Sequence, residues 1–395
     1  MAVNARPTRR RRAAHFWNDA RVRAVTAQIV LMAALLAGAV YLVHNTLLNL
    51  ERLGVSTGFG FLWTAAGFDI SQTLVPYDRT HSYARAFLVG LLNTFYVSIV
   101  GIVLATILGF IVGIARLSSN WLVAKVAAAY IEIVRNVPLL LQLIVWYFVV
   151  LGNLPLPGDS IALLGGAYLN IRGLFLPKPV PEPGFAWTVY ALVAAIVAVV
   201  LLARWARRRF EETGRPFPTF RVGLAILVLV PLAVFLLTGA PLSFEYPEVG
   251  RFRVSAGLVL LPEFLAMVAG LSVYTAAFIA EIVRAGIEAV DRGQWEAAYA
   301  LGLSRGQTLR LVVIPQALRV IIPPQTSQYL NLTKNSSLGV AIGYPDFFNV
   351  AGTINNQTGQ AVEVIAITMA VYLSLSLAIS AFMNWYNRRM ALVER

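Results

Sequence analysis

Residues 87–115 contain no Asp, Glu, Lys or Arg, and the same holds for residues 24–50, 185–203, 222–239 and 364–387. About 20 consecutive apolar residues in a helix span the roughly 30 Å hydrocarbon core of a bilayer. Backbone amides in lipid have no water to bond, so a spanning segment must satisfy them internally, as a helix or in a closed barrel. Uninterrupted apolar runs of this length are read as transmembrane helices. The composition agrees: 58% of residues are hydrophobic and 13% charged, where a soluble domain carries about 25% charged residues. Mean hydropathy is +0.71. The expected fold class is therefore an all-α, polytopic integral membrane protein with about eight transmembrane helices.

The formal net charge of +13 sits in clusters between the apolar runs, and no stripe of alternating base and aromatic residues appears. Nucleic-acid binding is excluded on that pattern. The clusters serve better as topological markers, because Lys and Arg accumulate on the cytoplasmic side. Residues 1–23, with Arg6, Arg9, Arg10, Arg11, Arg12, Arg21 and Arg23, read as a basic cytosolic tail. Residues 24–50 read as a retained anchor helix; the run is too long for a signal peptide and lacks a small-residue cleavage site. Residues 51–86 fall outside. Residues 87–151 contain two spans joined by an inside turn at Arg116 and Lys125.

Residues 152–262 form an insertion: an outer loop, a span ending at Arg204, Arg207, Arg208 and Arg209, an inner turn with Arg215 and Arg221, a returning span, and an outer segment. Residues 263–387 hold the remaining spans, with a cytosolic loop over 285–307 and a polar outer loop over 344–360. Residues 388–395 form a cytosolic tail with Arg388, Arg389 and Arg395. Both termini are expected on the cytoplasmic side.

Several polar residues lie inside the spans. Asn93, Thr94 and Ser98 share a helical face and either pack against another helix or line a path, with packing favoured. Gly109-x-x-x-Gly113 permits close approach of a neighbouring helix. Glu132 and Arg135, spaced i, i+3, can pair, and Pro138 should bend its helix. Gln142 lines a path or bonds a neighbouring helix. The helix from Ser304 is expected to be broken or bent at Pro315 and again at Pro323-Pro324. Beyond them lie Lys334, Asn335 and Ser336. An intramembrane Lys is a functional hypothesis by default, with snorkelling to the outer interface as the alternative.

The loop on the basic side, Asp291-Arg-Gly-Gln-Trp-Glu-Ala-Ala-Tyr-Ala-Leu-Gly-Leu-Ser-Arg-Gly-Gln307, reads as a short helix, a stop and a new helix. Asp291 suits the first cap and Gly302 the left-handed position after the helix end. Ser304 and Gln307 have capping-box spacing. Its full spelling is more specific than these local signals. Glu296-Ala297-Ala298, three residues, Gly302, nine residues, then Val312-Val313-Ile314-Pro315 resembles the E-A-A-x3-G-x9-I-x-L-P signature of ABC importer permease subunits, with Val for Ile and Ile for Leu. The flanks Glu281-Ile-Val-Arg284 and Ile314-Pro-Gln-Ala-Leu-Arg319 resemble the amino-acid importer branch. Residues 130–142 and 334–338 are similar to further segments of that branch. The long layout looks like permeases of general or acidic and amide L-amino-acid systems.

The resemblance implies a type I ABC importer permease core in a bacterial inner membrane. It implies an ATP-hydrolysing partner docked on a coupling helix carrying Glu296, Ala297, Ala298 and Gly302, with Pro315 closing the signature. A second permease subunit, similar or identical, and an extracytoplasmic amino-acid-binding protein complete the expected partners, with lipid around them. Gln142, Lys334, Asn335 and Ser336 are expected along the translocation path. The chain itself is read as a transport subunit and not an enzyme. Its lysines, Lys125, Lys178 and Lys334, follow Ala, Pro and Thr, so the Gly-Lys pair of a phosphate loop is missing. Neither a cofactor nor a metal is expected. The rival reading, an ion-gradient-driven secondary amino-acid transporter, calls for inverted repeats and intramembrane carboxylates. Glu132 and Glu281 are the candidates, each followed three residues on by an Arg.

Overall fold

The computed structural model describes residues 20–52 and 57–390. Most of the basic tail read over residues 1–23, and the C-terminal tail beyond residue 390, lie outside the described residues. Helix α1 (Ala20–Arg52) has none of its apolar window buried against protein. Helix α2 (Tyr83–Arg116) starts where the Ser82 hydroxyl accepts the Arg85 amide. Helix α3 (Trp121–Asn136) is capped by Asn120 and followed by α4 (Leu139–Ile144), which continues as π-helical turns over Val145–Leu151. The α3 and α4–Leu151 segments meet at 104°, and the break falls at Val137-Pro138, where proline removes a donor and clashes with the preceding turn. Arg135 does not pair with Glu132; its guanidinium lies 5.1 Å from the Phe278 ring centroid on α7 (Pro262–Glu288).

The insertion contains helices α5 (Phe185–Thr213) and α6 (Thr219–Leu237), packed against each other. Its outer parts depart from the all-α expectation. Strands β1 (Ile161–Leu163), β2 (Ala167–Asn170), β3 (Gly173–Leu176) and β4 (Lys178–Pro181) precede α5, and β5 (Leu242–Glu245), β6 (Glu248–Val249), β7 (Val254–Ser255) and β8 (Leu258–Leu260) follow α6. They form an antiparallel sheet in the order β1-β2-β3-β8 and the pairs β4-β5 and β6-β7. Runs of two to four residues between Gly and Pro are too short to show strand periodicity, and two of the pairings, β3-β8 and β4-β5, join strands on opposite sides of the α5–α6 hairpin. Among the described residues the chain is otherwise helical, as expected, and strands are confined to the insertion.

After α7 come α8 (Arg292–Ala300) and α9 (Arg305–Thr308), which runs through π turns at Leu309–Val313 into α10 (Ile314–Asn335). Pro315 is the second residue of α10, which follows directly on these π turns, where the hydrogen-bond ladder is already irregular. Pro323 and Pro324 lie inside α10, which continues through them without a break. The outer segment over 344–360 is also not a loop. It contains α11 (Phe347–Thr358), with Asp346 capping its start and Gly359, at φ +69°, ending it. Helix α12 (Ala361–Met390) completes the chain. Among the described residues six helices are long and apolar enough to span, and a seventh if the bent pair counts as one. The polar α10, which would make eight, fails on apolarity.

The core sits between α2, α4, α7 and α10, around Val97, Leu143, Met267, Leu271, Ile279, Ile321 and Leu332. A second cluster, with Phe87, Phe347, Val350 and Ile354, holds α11 on the N-terminal end of α2. Asn93, Thr94 and Ser98 are buried here. The Asn93 amide donates to Gln72 O at 2.8 Å and Pro345 O at 2.9 Å, and Thr94 Oγ1 accepts the Phe347 amide at 2.9 Å. These two are packing residues, clasping the outer segment onto α2.

Asp346 is buried in this clasp, and desolvation pushes its carboxyl up from 3.8 to about 7 against the hydrogen bonds that favour its charge. Between those values the folded chain holds a proton that the unfolded chain releases, so stability falls as pH rises through that window. Hydrogen exchange of the α11 amides, corrected for intrinsic rate, is expected to show less protection at about pH 8 than at about pH 5. Asp346→Asn should remove that dependence.

Candidate functional site

The segment between α7 and α10 is built by local capping. Asp291 accepts the Gly293 amide at 2.6 Å and starts α8. The helix ends when the Gly302 amide bonds Tyr299 O and the Leu303 amide bonds Ala298 O, the paired closure of a Schellman motif. That closure needs a left-handed residue, and Gly302 has φ +77°. Ser304 and Gln307 then form the reciprocal capping box that starts α9. Gln316 of α10 donates to Gln294 of α8 at 3.1 Å, tying the short helix to the long one.

The signature residues of α8 split by face. Ala298 is buried, whereas Glu296 and Ala297 are exposed. Trp295 packs on the core cluster. Above α8 lies a cavity of about 760 Å³ with Ile287, Glu288, Arg292, Trp295, Arg305 and Leu309 in its wall. Arg284, at the end of α7, pairs with both Glu281 and Glu288 at 2.5 Å. Two residues that sequence reasoning passed over complete the exposed face. Leu301 is 81% exposed and Tyr299 46%. An apolar residue directly before the stop glycine of a polar helix was the signal available for Leu301.

The four polar residues expected along a path are not brought together. The Gln142 amide donates to Val134 O and Val137 O, each at 2.9 Å, carbonyls left free where proline interrupts the helix. Ser336 is buried, with its hydroxyl on Thr333 O at 2.9 Å. Asn335 is half-buried at the end of α10. Lys334 is exposed and lines a groove of about 460 Å³ with Ser337, Phe348, Thr368, Met369, Tyr372, Leu373 and Ser376. Thr368, Tyr372 and Ser376 recur every fourth residue, so they make one polar stripe on the otherwise apolar α12. That periodicity was readable in the sequence and was missed. Among the described residues no cluster of three or more His, Asp or Glu could hold a metal.

A family model described as the binding-protein-dependent transport system inner membrane component matches residues 191–392. The general L-amino acid transport system permease protein AapQ of Rhizobium johnstonii is 52% identical over 377 residues, covering 95% of this chain and 94% of its own. The glutamate/glutamine/aspartate/asparagine transport system permease protein BztB of Rhodobacter capsulatus is 43% identical, with 95% and 96% covered. The probable glutamine ABC transporter permease protein GlnM of Bacillus subtilis is 30% identical over 230 residues, 56% of this chain and 98% of its own. Among solved structures, an amino acid ABC transporter crystallised with histidines matches 78% of this chain and 95% of its own, with 22% identity and a TM-score of 0.46.

Proposed function

The chain belongs to the family of binding-protein-dependent transport system inner membrane components, a multi-pass permease, and from that premise we propose how it works. It is the permease subunit of an ATP-driven importer of polar or acidic and amide L-amino acids. Its relatives AapQ and BztB, matched almost end to end, support that substrate class. ATP hydrolysis belongs to a separate subunit, and α8 is the helix that docks it. The observation that carries this is the split face of α8. Ala298 is anchored in the core while Glu296, Ala297, Tyr299 and Leu301 stand free for a partner.

The mechanism follows from continuity. Movement of a docked α8 enters α9 through the Gly302 turn and α10 through the Gln294–Gln316 bond. Helix α10 is 22 residues long, about 33 Å at 1.5 Å per residue. It carries Lys334 at its far end, on the hydroxyl-lined groove. The π turns over Leu309–Val313 are a place where such a rod can re-register. Alternating access then tilts α10, and with it the groove that we assign to the translocation path. We place Gln142 and Ser336 in support of that path, holding the bent backbone beside it.

A second permease, self or similar, faces this groove, and an extracytoplasmic amino-acid-binding protein delivers substrate from outside. Both termini lie in the cytoplasm. The 152–262 insertion is an addition to a compact core, a reading supported by the near-complete match of GlnM to just over half of this chain. The secondary-transporter alternative is disfavoured because AapQ and BztB, matched almost end to end, are named as transport-system permeases, and of its two candidate carboxylates Glu281 is held by Arg284.

Co-purification of the ATP-binding subunit from solubilised native membrane tests the docking assignment. Leu301→Asp should lower its recovery at least tenfold if Leu301 is a central anchor of the interface, where such losses cost about 2 kcal/mol. Unchanged recovery would remove α8 from the interface. Lys334→Met should leave that recovery intact and lower amino-acid uptake about tenfold, in line with loss of one charge-assisted bond worth about 1.5 kcal/mol. Full uptake by this variant would take Lys334 off the path.

A further inference from the structure

The α5–α6 hairpin is apolar and almost unburied: only 6% of the apolar window of either helix is covered by protein. Small residues make its inner seam, with Ala195, Ala206 and Gly223 buried and Gly223 lying against Val199. One outer face of α6 is concave. Arg221, Val222, Ala225, Ile226, Leu229 and Val230 line a shallow groove of about 390 Å³ there. Their spacing, i, i+1, i+4, i+5, i+8, i+9, is a single helical stripe. It starts at the only charged residue of α6 and stops at Pro231.

The groove has the dimensions of half a bilayer. From Arg221 to Val230 the helix rises about 13 Å at 1.5 Å per residue, close to the roughly 15 Å depth of one leaflet's hydrocarbon. An acyl chain lying along it would bring its headgroup to the level of Arg221. The rest of that end of the hairpin is basic as well. Arg204, Arg207, Arg208, Arg209 and Arg215 are exposed there. Arg207 pairs with Glu211 and Arg209 stacks on Trp205. Among the described residues Arg204, Arg208, Arg215 and Arg221 form no ion pair. Trp205 lies edge-on to Phe217 at 5.3 Å, and Phe220 is 81% exposed, aromatic rings at the level where they favour a membrane interface.

We propose that this face is a binding site for an anionic phospholipid, with its phosphate on Arg221 and its neighbours and one acyl chain along Val222–Val230. A protein helix seated in the same groove would bring no partner for the unpaired guanidinium groups unless it carried acid at that level. A lipid supplies both the negative head and the chain. The site lies outside the residues assigned to ATPase docking and to the path, so it stands or falls independently of them.

Native mass spectrometry of the purified full-length chain, or of its complex, titrated with phosphatidylglycerol and with phosphatidylcholine, tests the site. Phosphatidylglycerol should bind at least tenfold more tightly. Arg221→Gln should weaken phosphatidylglycerol binding about fivefold, the worth of one basic residue near an anionic surface, and leave phosphatidylcholine unchanged. Ala225→Phe, which fills the groove and keeps every charge, should weaken it as well. Thermal unfolding of both variants checks that the hairpin is intact. Equal affinity for the two lipids, or no effect of either substitution, would overturn the proposal. So would a photo-crosslinker at Ile226 that captures a protein chain and no lipid.

Discussion

Gly302→Val is expected to cut ATP-driven amino-acid uptake by tenfold or more while membrane insertion and yield stay near those of the parent chain. The cause is backbone conformation alone. Gly302 sits at φ +77° with nothing within 4 Å of where a Cβ would point, so valine meets no clash. A β-branched residue held in the left-handed region costs about 1–3 kcal/mol. The turn would relieve that strain by rotating toward negative φ, which breaks the Gly302–Tyr299 and Leu303–Ala298 bonds and swings α8 away from α9. Gly302→Asn, which tolerates the left-handed region, should keep most of the uptake. If Val and Asn behave alike, the turn geometry is not what transmits movement.

Gly109→Val should prevent α2 from seating on α7 and sharply lower the yield of folded protein. A Cβ at Gly109 would lie 2.5 Å from Ile279 Cγ2, and one at Gly113 2.7 Å from Ala280 O. Both contacts fall in the most extensive helix–helix interface of the core. Overpacking at such a point costs about 1–3 kcal/mol, and 1–2 kcal/mol already shifts the folded-to-unfolded ratio by roughly 5–30-fold. The obstruction at Gly109 is the Ile279 side chain down to its Cβ, 2.6 Å away, so Gly109→Ala combined with Ile279→Gly should recover part of the loss measured by thermal unfolding in detergent, less the roughly 1 kcal/mol that a helical glycine costs. At Gly113 the obstruction includes a backbone carbonyl that cannot be trimmed. Gly113→Ala should therefore resist rescue by Val283→Ala.

What could be read from the chain follows from which interactions are local. The caps at Asp291 and Ser304, the stop at Gly302 and the bend at Pro138 are settled within a few residues, and the structure shows each of them. The Gly109/Gly113 contact is also as expected, because a small-residue pair on an apolar helix has one common use. The outer strands were illegible because β3 finds its partner β8 on the far side of two helices. Helix α11 was hidden by its own polarity: Asn349, Thr353, Asn355 and Gln357 read as loop, while the buried Phe347, Val350 and Ile354 hold it in place.

The unbroken α10 shows the limit of reading prolines one at a time. Packing of Ile321 and Ile322 on the core outweighs the hydrogen bonds lost at Pro323 and Pro324. At the site, the sequence pointed to the coupling segment and to Lys334. It could not show that Ala298 turns inward while Ala297 turns out, or that Gln142 is occupied by Val134 and Val137. Those are matters of which neighbour arrives, not of residue type.

On the proposed mechanism, amino acids cross only when a separate ATPase acts on this chain through α8. The most direct test is uptake of radiolabelled glutamate, glutamine and a neutral amino acid into proteoliposomes containing the purified assembly with its extracytoplasmic binding protein. Uptake should require enclosed ATP, be indifferent to proton and sodium gradients, and collapse with Glu296→Ala combined with Gly302→Val. Uptake by this chain alone, driven by an ion gradient without ATP, would contradict the account.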